Sequence, residues 1–272
     1  GSDTEKLSTL AKISMNINKH ISFTAKIDFT NTSNNGYASS VNPFNYAYNK
    51  SRTIPVYNTD GSHYMTYEKT GSTGQQSIGY NILKELDNTG KSSKMDDFNA
   101  LLQLDVNIID GLKYTGTFSY HNSNTAQRDW ATEQSYYISD IRGWDYGMYT
   151  PYDTDIYNGS KLPYGGILTQ SNLRRTGYTI RNQISYSKLF GTDHHVNIMG
   201  GTEARRNAYK GVGITGYGWT PEFGEKFNPV ITELFSSQYV QQEKLLPTNT
   251  NSFTQIASFY GCLLYTSPSP RD

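Results

Sequence analysis

The sequence predicts an all-β fold: an antiparallel up-and-down meander that forms part of a transmembrane β-barrel with long extracellular loops. Three observations carry this prediction. Apolar and polar residues alternate with a period of two, which places one set of side chains on each face of a strand. Short turns and very long connections follow one another along the chain. Aromatic residues make up 14% of a chain that is only 35% hydrophobic, and tyrosine suits strands and membrane interfaces.

The first predicted hairpin joins residues 7–17 to residues 21–30. In its first strand the odd positions are mostly apolar and the even positions mostly polar, and the alternation resumes after Asn18-Lys19. In its second strand Ile27 lies on the apolar face and Asp28 on the polar face. This pattern predicts two strands that each have one apolar and one polar face.

Two further hairpins repeat the pattern. Residues 98–108 and 112–121 alternate on either side of a tight turn, where Gly111 supplies an unusual backbone conformation. Residues 176–190 and 195–205 form the third predicted pair. A seventh strand is predicted to begin near Phe253.

Three very long connections, residues 31–95, 123–175 and 207–252, separate these hairpins. Connections of this length are rare in compact domains. Outer-membrane barrels have short periplasmic turns and long extracellular loops, and a strand of ~10 residues tilted by ~45° spans their apolar band of about 25 Å. A secreted soluble β-sandwich used for binding or adhesion is the alternative, but its turns usually recur every ~8–12 residues.

Composition excludes several classes of protein. The 24 basic and 24 acidic residues balance, whereas a nucleic-acid partner calls for a basic excess. The sequence contains no run of about twenty apolar residues, so it predicts no transmembrane helix. The first ten residues lack the features of a signal peptide. Cys262 is the only cysteine, so the sequence predicts no disulfide and no cysteine metal site.

The last eleven residues, 262–272, read CLLYTSPSPRD. This string resembles the translation of a sequencing adapter, as expected for a gene fragment read off the end of a metagenomic clone. We therefore expect residues 1–261 to be a partial barrel of about seven strands and three long loops. We interpret residues 262–272 as an artefact and exclude them from the prediction of the fold.

Motifs that resemble binding sites lack their required context. Residues 211–216 match the glycine pattern of a dinucleotide site, but no helix is predicted after them, so we interpret them as a flexible glycine-rich loop. Asp193-His194-His195 falls in a predicted turn without a third spaced ligand. Residues 153–159 depart from the spacing of a calcium loop, which leaves only a loosely bound Ca²⁺ as an alternative. We expect no metal and no cofactor.

Carboxylates raise the question of a glycosidase, which needs two acids across a cleft. Asp96 and Asp97 point to opposite faces of a predicted strand, and Glu203 is predicted to face the barrel lumen. No nucleophile elbow is present either. The sequence therefore predicts no catalytic residue and no enzyme.

The long connections are rich in aromatic residues. Aromatic rings with nearby amides and carboxylates suit sugar or peptide ligands, and the alternative is that the rings pack the loops on themselves. The residues predicted to bind ligand are Tyr46, Tyr48, Trp130, Trp144, Tyr146, Tyr149 and Trp219.

Several segments together resemble the SusC/RagA-type receptors. Residues 42–48 (NPFNYAY) and 54–61 (IPVYNTDG) are similar to the first long loop of these receptors. The hairpins of these receptors are similar to two further parts of the chain. The first is residues 110–114 (DGLKY), and the second is residues 178–183 (YTIRNQ) followed by residues 195–201 (HVNIMGG). The resemblance covers nearly all of the chain before the tail, and the order and spacing of the segments carry it.

The resemblance implies a TonB-dependent importer in the cell outer membrane. Barrels of this kind have about 22 strands and a plugged lumen, a SusD-like surface lipoprotein caps them, and they take up glycans or peptides. This chain would contribute wall and loops in contact with outer-membrane lipid. The polar residues expected to face the plug or hydrated solute are Lys26, Asp28, Asp105, Lys113, Arg181 and Glu203.

Overall fold

The computed structural model describes residues 2–69, 77–191, 194–227 and 246–266. The strands are β1 Asp3–Asn16, β2 Ile21–Gly36, β3 Thr66–Lys69, β4 Ser77–Tyr80, β5 Thr89–Ile109, β6 Leu112–Ala131, β7 Gly166–Phe190, β8 His194–Thr220, β9 Lys226–Phe227 and β10 Thr248–Thr266. The helices are α1 Pro43–Asn49, α2 Ile82–Asn88, α3 Tyr136–Arg142 and α4 Thr154–Gly159, with a 3₁₀ turn at Pro221–Phe223. No helix in these residues is both long and apolar enough to cross a membrane.

One curled antiparallel sheet dominates the structure. Its strands follow the order β1-β2-β5-β6-β7-β8-β10, and the short β9 pairs with β8. Strands β3 and β4 form a separate two-stranded sheet within the connection between β2 and β5. The curled meander confirms the predicted fold class, a segment of a β-barrel.

The two faces of the sheet differ in the predicted way. Ile27 lies opposite Ala11 and Ala100 in the ladder, on the face that we call the apolar face. Ile27 and Ile184 are 47% and 52% exposed. Within the described residues no second sheet covers this face, which contradicts the sandwich alternative.

Burial is concentrated at the end of the sheet that carries the long connections. The buried apolar residues among the described ones are Ala38, Val41, Ile78, Ile82, Ala131, Ile138, Trp144, Leu162, Ile167, Leu168 and Trp219. All of them lie in the first two connections or in the strand ends beside them. The middle of the sheet therefore has no hydrophobic core of its own.

The strands extend further than the alternation predicted. Strand β5 begins at Thr89, β6 ends at Ala131 and β8 ends at Thr220. Near the connections both faces carry polar residues, so the period-two pattern disappears although the hydrogen-bonded ladder continues. The connections shorten accordingly to residues 37–88, 132–165 and 221–247.

Two specific predictions were wrong for the same reason. Residues 211–216 are not a loop, because they pair with β7 and β10 inside β8. Trp130 and Trp219, which we had expected in loops, lie in β6 and β8.

Short turns close the hairpins at the opposite end. Gly111 has φ +83°, and a Cβ atom there would lie 2.5 Å from the carbonyl oxygen of Ser187. At the first turn the side chain of Asn18 accepts hydrogen bonds from the N–H groups of His20 (2.8 Å) and Ile21 (2.9 Å). Asp193, part of the Asp-His-His motif, lies outside the described residues.

Candidate functional site: the loop cap

The first two connections fold together into one body at the end of the sheet. We call residues 37–69, 77–88 and 132–165 the loop cap. The loop cap contains α1 to α4 and the β3–β4 sheet. Its interior has two apolar clusters, one around Ile82 with Ala38 and Val41, and one around Ile138 with Leu162.

Glu85 of α2 joins the two connections. Its side chain is 3% exposed and accepts hydrogen bonds from the backbone N–H groups of Tyr136 (2.5 Å) and Tyr137 (3.1 Å), in the first turn of α3. Burial raises the pKa of the Glu85 carboxyl, and the two N–H donors partly oppose that shift. Glu85 thus accepts hydrogen bonds from two N–H groups that have no backbone partner within α3.

Asn81 organises the first connection. Its side-chain oxygen caps α2 by accepting hydrogen bonds from the N–H groups of Leu83 and Lys84. Its amide nitrogen donates to the carbonyl oxygens of Val56 (2.8 Å) and Tyr64 (2.9 Å). One buried amide therefore fixes the segment between α1 and β3 against α2.

Arg142 organises the second connection. Its guanidinium, 3% exposed, donates to the carbonyl oxygen of Leu162 (3.3 Å) and pairs with Glu133 (3.1 Å). The hydroxyl of Ser160 donates to the carbonyl oxygen of Arg142 at 2.9 Å. Burial lowers the pKa of Arg142, and the charge of Glu133 opposes the shift. These contacts hold the segment after α4 against α3.

The aromatic residues of the loop cap fall into two groups. Tyr80 lies between Tyr46 and Tyr136, with ring centroids 5.4 and 5.0 Å apart. Trp144 contacts Tyr149 and Tyr157, at 5.4 and 5.8 Å. Trp144 is 6% exposed, so this second group packs the interior of the loop cap.

The seven predicted ligand residues thus occupy different environments. Tyr48 and Tyr146 are 90% and 49% exposed, and Tyr46 and Tyr149 are half-buried at the edges of the two aromatic groups. The structure does not bring Tyr48 into either group.

Two of the three tryptophans are buried, and the third is half-buried. Trp144 and Trp219 are buried, and the indole N–H of Trp219 has no hydrogen-bond partner among the described residues. Trp130 lies over Gly90, where a Cβ atom would be 2.3 Å from the ring.

A cavity beside the loop cap, lined by both polar and apolar residues, was not predicted. Its volume is about 150 Å³, and its lining includes Ser39, Asp129, Tyr137 and Thr169. Asp129 accepts hydrogen bonds from the backbone N–H and the hydroxyl of Ser39, and Lys91 donates to the same hydroxyl at 3.3 Å. No sequence pattern links these residues, because they come from four separate segments.

Charged residues on the polar face of the sheet form ion pairs. The six residues expected to face the lumen form three ion pairs: Lys26–Asp28 (3.6 Å), Lys113–Asp105 (2.8 Å) and Arg181–Glu203 (2.5 Å). The charge of these six residues is therefore neutralised within the sheet itself.

A hydrogen-bond network continues across this face. The side-chain amide of Asn99 donates hydrogen bonds to Asp28 (2.9 Å) and Asp97 (2.5 Å). A ring nitrogen of His121 lies 2.6 Å from the side-chain oxygen of Asn99. The network borders a cavity of about 330 Å³. Asp96, on the opposite face, accepts from Asn31 instead, so Asp96 and Asp97 do not form a carboxylate pair. No group of three potential metal ligands occurs in the described part of the chain.

Comparison with solved structures identifies the fold. The chain superposes on the structure of the RagAB peptide transporter with a TM-score of 0.64 and 13% identity, covering 98% of this chain and 26% of that one. The "open-open" and "closed-closed" states of the RagAB peptide importer give TM-scores of 0.65 and 0.63, at 14% and 12% identity and with the same coverage. The chain thus spans about a quarter of the length of these structures. No protein-family model and no curated protein matches it.

Proposed function

We propose that this chain forms wall and ligand-facing loops of a SusC/RagA-type importer in the outer membrane. The observation that carries the proposal is the exposed apolar face of a single sheet whose buried core is confined to the loop cap and the strand ends beside it. Water is a poor solvent for such a face, whereas lipid hydrocarbon covers it without a second sheet. The likeness to barrels of peptide importers supports the same conclusion.

The role of the chain in this importer is physical rather than chemical. The apolar face holds the wall in lipid, and the paired charges of the polar face line a hydrated lumen. A SusD-like surface lipoprotein and TonB would act on the whole receptor through regions outside this chain. The ligand would be a peptide or a glycan, and the solved neighbours are described as peptide importers.

Adjacent residues on β7 provide the test of the wall. Ile184 lies on the apolar face and Gln183 on the polar face. In a Cys262→Ser background, Ile184→Cys and Gln183→Cys would each be labelled with an environment-sensitive fluorophore in lipid vesicles. We expect nitroxide lipids to quench the label at 184 and not the label at 183. Equal quenching, or equal access to a water-soluble quencher, would contradict the proposal.

The exposed tyrosines provide the test of ligand binding. We expect the double variant Tyr48→Ala/Tyr146→Ala to retain less of a tryptic peptide mixture than the unmodified chain, as measured by mass spectrometry. Tyr67→Ala is the control, because Tyr67 is also exposed but is not among the predicted residues. A neutral oligosaccharide mixture, tested in parallel, distinguishes the two ligand classes. Equal retention of both mixtures by all three proteins would argue against these contacts.

We also propose that residues 262–272 derive from an adapter. Strand β10 runs to Thr266, and Cys262 pairs with Met199 of β8. Backbone hydrogen bonds between strands form with almost any side chain, so this pairing does not depend on the origin of the segment. Extending the nucleotide sequence in both directions is the direct test. We expect a plug domain upstream and a different continuation after Gly261, and an independent clone with the same tail would contradict the proposal.

A further inference from the structure

Among the cations on the apolar face near its border with the loops, three lie on two neighbouring strands: Arg174 on β7, and Arg206 and Lys210 on β8. We call them the outward cations. Arg174 pairs with Lys210 across the ladder, and Arg206 pairs with Tyr178. Arg174 has the same parity along β7 as Ile184, so the outward cations share their face with the apolar residues.

Side-chain contacts agree with this placement. The Nε atom of Arg174 donates to Asn122 at 3.1 Å, and the guanidinium of Arg206 lies 5.5 Å from the ring centre of Phe253. Both partners belong to the same face of the sheet.

The outward cations lack acidic partners. Among the described residues, none of the three forms an ion pair with a carboxylate. Asp96 lies in the same row of the ladder as Arg174, but two strands away, and it is hydrogen-bonded to Asn31. Because Arg174 and Lys210 are like charges placed directly opposite each other, their juxtaposition is unfavourable unless an anion lies between them.

The height of Arg174 and Lys210 matches the start of the lipid headgroups. Arg206 lies lower, opposite Tyr178 of the aromatic belt, and a long arginine side chain extends from there towards the headgroups. Phe98, Tyr120 and Tyr178 form an aromatic belt on the apolar face, with Phe98 and Tyr120 6.4 Å apart. Arg174 lies beyond this belt, on the side of the loops. A strand that rises ~3.3 Å per residue with a ~45° tilt reaches Arg174 about 28 Å above Tyr186, just past an apolar band of about 25 Å.

We propose that the outward cations bind the phosphate groups of lipid A, the phosphorylated glycolipid of the outer leaflet. The inference rests on the proposed outer-membrane wall, since it needs the loops to face the cell exterior. Guanidinium groups bind phosphate with two parallel hydrogen bonds, and the lysine adds a point charge. A bound phosphate between Arg174 and Lys210 also removes the repulsion between them.

Neighbouring arginines on the same strands provide a matched control. Arg174→Gln/Arg206→Gln removes two outward charges. Arg175→Gln/Arg205→Gln removes two charges from the polar face, one position away on each strand. Arg175 also stacks on an aromatic ring, that of Tyr209, at 5.5 Å, so both variants lose the same kind of contact.

The experiment uses the full chain in phosphatidylcholine bicelles that contain lipid A or its dephosphorylated form. After exchange into neutral detergent, the retained glycolipid is measured by mass spectrometry at two salt concentrations, and circular dichroism checks the sheet content. We expect Arg174→Gln/Arg206→Gln to retain about tenfold less lipid A than the wild type. The control, Arg175→Gln/Arg205→Gln, should retain as much as the wild type. Retention should fall with salt.

Other outcomes separate this inference from the proposed wall. Equal losses in both variants, or equal retention of the dephosphorylated lipid by the wild type, would overturn phosphate binding while leaving the wall intact. Equal quenching of the labels at 184 and 183 by nitroxide lipids, in the test of the wall given above, would overturn the wall and the inference together.

Discussion

At the scale of single residues, backbone geometry in the loop cap makes specific demands. Gly165 has φ +75°, and a Cβ atom there would lie 2.5 Å from the backbone of Gly218. Gly143 ends α3 in the left-handed region with φ +99°, but a Cβ atom at this position would meet nothing within 4 Å. The two glycines thus separate the cost of a strained conformation from the cost of a steric clash.

We predict that Gly165→Ala destabilises the loop cap more than Gly143→Ala. The left-handed conformation alone costs about 1–2 kcal/mol for alanine, and overpacking against Gly218 adds about 1–3 kcal/mol. Urea unfolding followed by tryptophan fluorescence measures both, because all three tryptophans lie in or beside the loop cap. Equal midpoints for the two variants would show that the strand ends are not in contact.

Glu85→Gln is predicted to weaken the junction between the two connections. Both carboxylate oxygens accept a backbone N–H, whereas glutamine offers one acceptor and turns an NH₂ group towards the second donor. Leaving a buried donor unpaired costs about 1–3 kcal/mol. Glu85→Ala is the comparison that removes both acceptors and should cost more. Unchanged unfolding midpoints in both variants would contradict the role of Glu85.

The same carboxyl predicts a dependence of stability on pH. Its pKa in the folded chain is raised above the ordinary value of 4.5, so the folded state binds more protons than the unfolded state between the two values. The contribution of Glu85 to stability is therefore fully present below pH 4.5 and falls as the pH rises towards the folded pKa. The difference in unfolding midpoint between wild type and Glu85→Gln should change with pH in this window, and a constant difference would refute the assignment.

At the scale of elements, the alternation of side chains predicted the central part of each long strand and the faces they expose. It failed where β5, β6, β7 and β8 leave the apolar band, because polar residues on both faces erase the period while the ladder persists. The interior of the loop cap was not predictable from local pattern either. Glu85 contacts Tyr136 across 51 positions of the chain, and no local pattern distinguishes the exposed Tyr48 from the buried Trp144.

Strand β5 offers a test of the two faces at adjacent positions. Leu102 lies on the apolar face near its middle, and Gln103, on the polar face, donates to Asp105 at 2.7 Å. We predict that Leu102→Lys loses about 2–4 kcal/mol of stability in lipid vesicles, whereas Gln103→Lys is tolerated because a new ammonium can pair with Asp105. Folding yield in vesicles, read from the gel mobility of the unheated protein, measures the effect. Equal yields would argue that lipid does not cover this face.

At the scale of the whole molecule, the sheet is open. Strands β1 and β10 each pair on one side only among the described residues, and the residues of β1 are exposed along its whole length. Unpaired strand edges are templates for association and are not tolerated in hydrocarbon. The receptor proposed above would supply further strands to both edges.

We predict that the 272-residue chain alone associates through these edges in aqueous buffer. Both driving forces act together, because the apolar face and the unpaired backbone groups of β1 and β10 are exposed at once. Light scattering after removal of detergent should show large particles, and detergent should reduce them without dissolving all edge contacts, because it covers the apolar face only. Successive N–H groups of β1 point alternately towards β2 and away from it, so Ile13→Pro and Ser14→Pro each remove one N–H group and only one of the two variants loses an outward-pointing N–H. That variant should form smaller particles in detergent. A monodisperse monomer in plain buffer would mean that the protein itself covers the apolar face, and the wall interpretation would then fail.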